Sequence, residues 1–304
     1  MLLRHLSFFV TLAEEKHFKK AAEACNITQP TLSAAIRKLE EDLGVTLIVR
    51  GHRYLGLTPE GDKALAWGRQ ILTDYDSLRD ELHGTHKGLA GTLRLGVIPA
   101  AMPSIAFLTE RFSERFPDVQ VDIRSVTSRA IQRGIDDFAF DGGLTYLDNE
   151  PLENVDRFQL YRERYVFVCQ PDHPLADREA VTWAEAVREP LCLLSNDMQN
   201  RRILDGIAES AGLKIAPPIV SDSFLAVCAH LRNGMWCGIV PHTFFYIFGG
   251  ASGLVPINLV EPTADHAIGL VLKARLPRSP MVSALVAALR GADFEARFKQ
   301  AMDS

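Results

Sequence analysis

Long apolar runs are absent from this chain. Nowhere do eighteen apolar residues follow one another, and no basic-then-apolar leader is present, so neither a membrane span nor export is expected. Cysteine is sparse: Cys25, Cys169, Cys192, Cys228 and Cys237 are scattered without a C-x-x-C. An odd number at irregular spacing fits reduced thiols, buried as small hydrophobes, in a cytoplasm. The motifs of the common enzyme classes are missing too, with no H-E-x-x-H, G-x-S-x-G, G-x-x-x-x-G-K or G-x-G-x-x-G. Gly88, Gly91 and Gly96 have the wrong spacing and precede a strand. His173, within Pro171-Asp172-His173-Pro174, and His242, after Pro241, have no Asp, Glu or Cys partner at metal spacing in the sequence. No catalytic residue, metal site or bound cofactor is therefore expected. Nor is there an excess of basic charge. The net charge of −5 argues against indiscriminate binding to polyanions.

What is present is a soluble, globular composition, 47% hydrophobic and 23% charged, over 304 residues, long enough for two or three domains. Its most informative stretch runs from Phe18 to Leu43 and reads as two helices joined at Asn26-Ile27-Thr28. Asn tolerates a left-handed turn, Thr28 can cap the next helix, and Pro30 falls in the first helical turn, where its missing N–H costs nothing. Leu32, Ile36, Leu39 and Leu43 form one apolar stripe of that second helix. Gln29, Ser33 and Arg37, with Thr31, Ala34 and Lys38 beside them, form a short, cationic, hydrogen-bonding face suited to base edges and phosphates. An ordinary helical hairpin with a solvated polar face would show much the same pattern. Its neighbours decide between them. Leu2, Leu6, Phe9 and Ala13 give a preceding helix able to cover the hairpin. Val45–Leu57 alternates as a short hairpin tipped by Arg50 and Arg53, a pair suited to a minor groove. Together these elements make a winged helix-turn-helix. Basic and acidic side chains nearly balance in this head, so DNA contact rests on clusters: Lys16, Lys19 and Lys20; Arg37 with Lys38; Arg50 with Arg53.

These first sixty residues resemble, without a gap, the N-terminal domain of the LysR-type transcriptional regulators. The residues that carry the resemblance are Phe9, Phe18, Ala21-Ala22, Thr28-Gln29-Pro30-Thr31-Leu32-Ser33, Ile36, Leu39-Glu40, Leu43-Gly44, Leu47, Arg50 and Leu57-Thr58-Pro59-Glu60-Gly61. Ala34-Ala35 departs from it, since many relatives carry larger or basic residues there. The resemblance implies a DNA-binding regulator, and the residues expected at DNA are Thr28, Gln29, Pro30, Thr31, Ser33, Arg37, Lys38, Arg50 and Arg53.

From Thr58 a long helix is expected, because no proline appears between Pro59 and Pro99. Ala64, Gly68, Ile71, Tyr75, Leu78 and Leu82 take a/d spacing, and a Gly-rich hinge follows from His83 to Gly91. In the resembled family this helix pairs antiparallel with its copy, Ala64 and Gly68 allowing close approach. Such a dimer, assembling to a homotetramer, sets two recognition helices at half-site spacing, roughly 34–36 Å.

The remainder alternates strands and helices in βαβα order, implying a parallel sheet with helices on its faces. The fold class expected is α/β multidomain: a winged helix-turn-helix (1–58), a linker helix and hinge (59–88), and a two-lobed effector domain (89–304) of the periplasmic-binding-protein-like type 2. Lobe I takes about 89–161 plus 266–304 and lobe II about 162–265. Ligand is expected between the lobes, where helix N-termini favour a small carboxylate or similar anion. The expected contacts are Pro99, Ala100, Ala101, Met102, Thr127, Ser128, Thr145 and Tyr146 from lobe I. Lobe II adds Met198, Gln199, Asn200, Ser223, Phe224, Pro241 and His242. Relatives often place a hydroxyl near positions 100–102; here either backbone N–H groups hold the ligand or Ser104 substitutes. Phe140–Leu152 and Asp197–Arg202 also resemble regulators encoded beside formate dehydrogenase operons, which implies a small carboxylate or a related one-carbon metabolite as effector. A transport receptor would instead show a leader and no DNA-binding head. The partners expected are double-stranded DNA, a small effector and RNA polymerase.

Overall fold

The computed structural model describes residues 2–49, 54–83, 89–248 and 253–302. The head begins with α1 (Leu2–Glu15), α2 (Phe18–Ala24) and α3 (Gln29–Leu43). Asn26 takes a positive φ of 53° between α2 and α3, and the Thr28 side chain caps α3 at the Thr31 amide. Phe9, Leu12, Leu32, Ile36 and Leu39 fill the core of this three-helix unit. Leu43, expected in the same stripe, is 46% exposed, in the last turn before α3 stops at Gly44 (φ 71°).

Beyond α3 the chain turns back along it. Glu40 Oε1 accepts the amides of Leu47 (2.8 Å) and Ile48 (3.3 Å), pinning the base of the wing to the recognition helix. Ile48 bridges antiparallel to Leu57, and the wing tip with Arg50 and Arg53 lies outside the described residues. Thr58 Oγ1 donates to the Thr46 carbonyl and accepts the Gly61 amide, starting α4 (Pro59–His83). A Cβ at Gly61 would meet the Leu47 carbonyl oxygen at 2.0 Å, so only glycine lets α4 cross the wing so closely.

Gly68 does not sit on the seam where spacing put it. Its Cα faces Leu6 and Val10 of α1, and Ala64 packs into the head core. The exposed apolar row of α4 is instead Trp67, Ile71, Tyr75, Leu78 and Leu82. The a/d register holds from Ile71 onward and is one face off before it, since α1 uses the earlier positions.

The effector domain follows as β1 (Gly91–Val97), α5 (Met102–Arg115), β2 (Val119–Ser125), α6 (Ser128–Asp136) and β3 (Gly142–Tyr146). Then come β4 (Val155–Cys169), β5 (Ala180–Thr182), α7 (Trp183–Ala186), β6 (Cys192–Leu194), α8 (Gln199–Ser210) and β7 (Ile219–Ser221). The chain closes with α9 (Phe224–Arg232), β8 (Gly238–Pro241), α10 (Phe244–Phe248), β9 (Val255–Val260), β10 (Asp265–Lys273), α11 (Pro280–Leu289) and α12 (Phe294–Met302). The main sheet runs β2-β1-β3-β10-β4-β9-β5, with β8 also on β4, and a smaller sheet pairs β6 with β7. β1 is parallel to β2 and β3, as expected, but β10 is antiparallel to both of its neighbours, so the sheet is mixed.

The two lobes share β4. Its first part pairs with β10 in lobe I and its end pairs with β8 and β9 in lobe II. The sequence pattern alone places this strand only over residues 164–170, so its first nine residues, 155–163, go unread, as do β5, β9 and α10. A salt bridge from Arg275 to Asp74 (2.6 Å) fastens α4 to lobe I.

Candidate functional site

On the head, Thr28, Gln29, Pro30, Thr31, Arg37 and Lys38 are exposed and Ser33 is half-buried. The opposite side of α3 is the buried Leu32, Ala35, Ile36 and Leu39. This division leaves one polar ridge outward and its apolar underside anchored, the geometry that a major groove accepts. Lys38 is engaged by Asp42 (3.1 Å) and Glu41 (3.5 Å), and Arg37 is exposed.

Between the lobes lies a buried polar cluster. Thr145 and Tyr146 end β3, and α8 begins opposite them. Thr145 Oγ1 donates to Gln199 Oε1 (3.4 Å), and Asn200 Nδ2 donates to the Tyr146 hydroxyl (3.0 Å). Tyr146 in turn donates to Glu163 Oε1 in a short hydrogen bond, and the Tyr165 hydroxyl lies 3.4 Å from that of Tyr146. Glu163 is fully buried at the point where β4 passes from one lobe to the other; His266 is its cross-strand partner, and Tyr165 pairs with Pro241. Burial pushes its carboxyl group up to about 8, against the opposing pull of the two tyrosine hydroxyls. None of the groups that perturb it is a cation. The same burial raises the hydroxyls of Tyr146 and Tyr165, with the Glu163 charge adding to it.

A clasp closes the outer edge of this cleft. Arg202 on α8 donates through Nε (2.7 Å) and Nη2 to Glu150 Oε1, and through Nη1 to the carbonyls of Asn196 and Asp197. Ser128 Oγ, from the first turn of α6, donates to Glu150 Oε2 (2.9 Å). Thr127 caps its own helix at the Ala130 amide. Ser104 spends its hydroxyl proton on the Ala101 carbonyl (2.7 Å), so it does not supply the donor expected of it.

The structure thus brings Ser128, Thr145, Tyr146, Gln199 and Asn200 together across the cleft. Pro99, Ala100 and Ala101 are buried and Met102 is half-buried where α5 begins, with no polar contact to this group among the described residues. Met198 precedes α8, and its side chain packs in lobe II. Pro241 and His242 flank Tyr165 and Arg164, with His242 Nδ1 accepting the Arg164 amide (3.1 Å); burial holds its imidazole below the usual range. Ser223 and Phe224 do not join the group. Ser223 is an exposed cap of α9, and Phe224 packs on Phe244 at 5.8 Å. Sequence reasoning missed Glu163, Tyr165, Glu150 and Arg202. The run Tyr161-Arg162-Glu163-Arg164-Tyr165 held a signal, since its period of two puts the arginines outside and a glutamate among buried tyrosines.

His173 gains partners from distant parts of the chain. The fold gives it the partners its sequence neighbourhood lacks: Glu189 Oε2 lies 3.3 Å from its Nε2, and the three ligand atoms of His173, Glu189 and Cys237 lie within 4.8 Å of one another. Yet His173 Nδ1 accepts the Leu175 amide (3.2 Å), which places the ring proton on Nε2, facing Glu189. A metal on Nε2 would drive that proton onto Nδ1, against another N–H, the reverse of how ligating histidines are held. The trio therefore fits a hydrogen-bonded turn better than an ion.

An exposed recognition helix joined to a two-lobed domain with a polar cleft defines a DNA-binding regulator with an effector domain. Residues 3–62 match the family described as bacterial regulatory helix-turn-helix protein, lysR family, and residues 86–293 match the LysR substrate binding domain. The chain belongs to the LysR family of transcriptional regulators, which are not enzymes. The HTH-type transcriptional regulator YnfL of Escherichia coli K12 is 36% identical over 91% of this chain and 94% of its own length. A probable hydrogen peroxide-inducible genes activator of Streptomyces viridosporus is 29% identical over 95% and 94%. A full-length OxyR mutant from Pseudomonas aeruginosa shares the fold, with a TM-score of 0.77 and 23% identity over 97% of this chain and 96% of that one. Among the described residues, no helix is long and apolar enough to cross a membrane.

Proposed function

We propose that this regulator binds its operator through Thr28, Gln29, Pro30, Thr31, Ser33, Arg37 and Lys38, and that a small anionic metabolite held between the lobes modulates that binding. The observation that carries the reading is the pairing of an exposed polar ridge on α3 with a buried polar cluster spanning both lobes. Replacing Gln29 and Arg37 with Ala is expected to cost about 1–3 kcal/mol of operator affinity for each base no longer read, with the fold unchanged by circular dichroism. Unchanged affinity in the double variant, by fluorescence anisotropy, refutes this reading face.

The exposed row from Trp67 to Leu82 is the dimer seam in this proposal, with two dimers forming a tetramer in the cytoplasm that contacts RNA polymerase. Leu78→Asp should then dissociate the assembly in light scattering; an unaltered mass rejects the seam. Regulation of formate or related one-carbon genes is the finer reading, supported by how the two runs behind it, Phe140–Leu152 and Asp197–Arg202, face each other across the clasp. Loss of every transcriptional response to formate in a reporter strain would end it. The peroxide response named for the Streptomyces relative is not carried over. Burial pushes the thiols of Cys169 up to about 11 and of Cys228 and Cys237 up to about 12, which leaves them poor thiolates.

A further inference from the structure

The groups left unsatisfied in the cleft are unequal in kind. Side chains cap the N-termini of α2, α3, α6, α7, α9 and α11, but neither Ala101 before α5 nor Met198 before α8 does so. The bare start of α8 meets Thr145 and Tyr146 of β3, whereas at α5 the Met102 amide is spent on the Pro99 carbonyl and Pro103 has no N–H to offer. Gln199 Nε2, on a side chain only 3% exposed at the start of α8, has no partner either. These are all donors. Against them stand the buried Tyr161 hydroxyl, which can donate or accept, and one acceptor-only atom, Glu163 Oε2, fully buried; neither has a hydrogen-bond partner.

The hydrogen-bond chain fixes where a proton on that carboxyl group must sit. Tyr146 accepts from Asn200, so its own hydroxyl proton goes to Glu163 Oε1. The carboxyl proton is then on Oε2, and Oε2 becomes a donor like the groups around it. An ionised Oε2 would instead be a bare charge without a cation, which burial penalises heavily. With the proton in place, the orphaned groups of the cleft ask for one thing, an acceptor-rich anion.

We propose that Glu163 is a specificity-determining residue of the effector site, donating a hydrogen bond from Oε2 to the carboxylate of a small anionic effector, with Gln199 Nε2 and the first amides of α8 completing the contact. This rests on the reading of the cleft as the effector site. A neutral carboxyl held in apolar surroundings so that it can donate to an oxyanion is known chemistry. It also makes anion binding carry a proton. The titratable groups facing Glu163 are Tyr146 from β3, Tyr161 and Tyr165 on its own strand, and His266 from β10, whose Nδ1 is held by Asp148 (3.2 Å). Asn200 is what α8 presents. Arg202 is engaged by Glu150, and Arg162 and Arg164 lie on the outer face of β4.

The test uses the full chain and a panel of carboxylates from formate through pyruvate and succinate to benzoate, with benzamidine as the cationic counterpart of benzoate. Thermal shift and titration calorimetry are run from pH 6 to pH 9. At least one carboxylate is expected to bind, with affinity level to about pH 8 and about tenfold weaker at pH 9 than at pH 7, as one proton per site would dictate. Benzamidine should not bind. E163Q keeps a neutral N–H donor, so its carboxylate affinity should be within about threefold of the parent at pH 7 and lose the alkaline fall, whereas E163A should lose tenfold or more throughout. A parent affinity that is flat to pH 9, an E163Q that still falls, benzamidine binding in place of benzoate, or no binding by any carboxylate overturns the proposal. Operator binding is measured in parallel on the unsubstituted chain. A chain that binds its operator but no carboxylate keeps the regulator reading and loses this one.

Discussion

Glu163→Gln should make this protein more stable at neutral pH, and the size of the gain follows from burial. In the folded chain the carboxyl group holds its proton up to about pH 8, whereas the ordinary value is 4.5. Between those limits unfolding releases a proton, so the stability owed to this group is fully present below pH 4.5. It then falls by about 1.4 kcal/mol per pH unit until it is lost at pH 8. Two and a half units separate 4.5 from 7, which puts the loss at pH 7 at ~3 kcal/mol, rising to ~5 kcal/mol above pH 8. A glutamine at this position would carry no such proton. Its amide oxygen can still accept from Tyr146, so the variant keeps the stability of the protonated form at every pH. For a domain of this size that is roughly 6–12 °C in Tm at pH 7. The assay is a thermal melt of both chains at pH 5, 7 and 9, read as the difference between them so that other titrating groups cancel. A gap that widens from pH 5 to pH 9 is expected. Equal gaps at pH 5 and pH 9, or a less stable variant at pH 7, would refute the reasoning.

Gly61→Ala places a methyl group 2.0 Å from the Leu47 carbonyl oxygen, so α4 or the wing must move. About 1–3 kcal/mol of head stability should go with it, seen in a urea melt, together with operator affinity. Arg202→Ala opens the clasp to Glu150 and leaves the Asn196 and Asp197 carbonyls to water. A loss of about 1–2 kcal/mol is expected for this quarter-exposed pair, with faster proteolysis of the effector domain as the second readout. Arg275→Ala removes the salt bridge to Asp74 and so frees α4 from lobe I. Operator affinity without effector should persist while the response to effector weakens, measured by anisotropy with and without ligand.

The head was legible because its signals are local. Thr28 caps three residues on, Pro30 sits in the first turn, and the stripe of α3 meets its partners in the two helices just before it. Even there, reading failed where a partner runs out or intrudes. Leu43, in the last turn of α3, stays exposed, and Gly68 packs against Leu6 and Val10 of α1. The effector domain was legible as elements and far less so as a site. Its βα order emerged from periodicity, but the first part of β4 was lost because Arg157, Arg162 and Glu163 interrupt the apolar run. The cleft depends on pairings that no window of sequence contains: Tyr146 with Glu163, Thr145 with Gln199, and Glu150 with Arg202. His173 and Glu189 are sixteen residues apart, and Cys237 comes to them from another part of the chain.

Glu163 shows why such a site escapes pattern reading. By composition it is one more charge in an arginine-rich stretch, and its alternation with Arg162 and Arg164 reads as a solvated strand. Only the pairing of β4 with β10 on one side, and the arrival of α8 over Tyr146, turn its face inward. The arginines then go to the outer surface, where Arg162 meets Asp265. A carboxyl group deprived of its sequence neighbours, with three tyrosines and no cation in their place, has its chemistry set by the tertiary fold. The sequence supplies the residue; the crossing of the two lobes makes it an acid that stays neutral at pH 7.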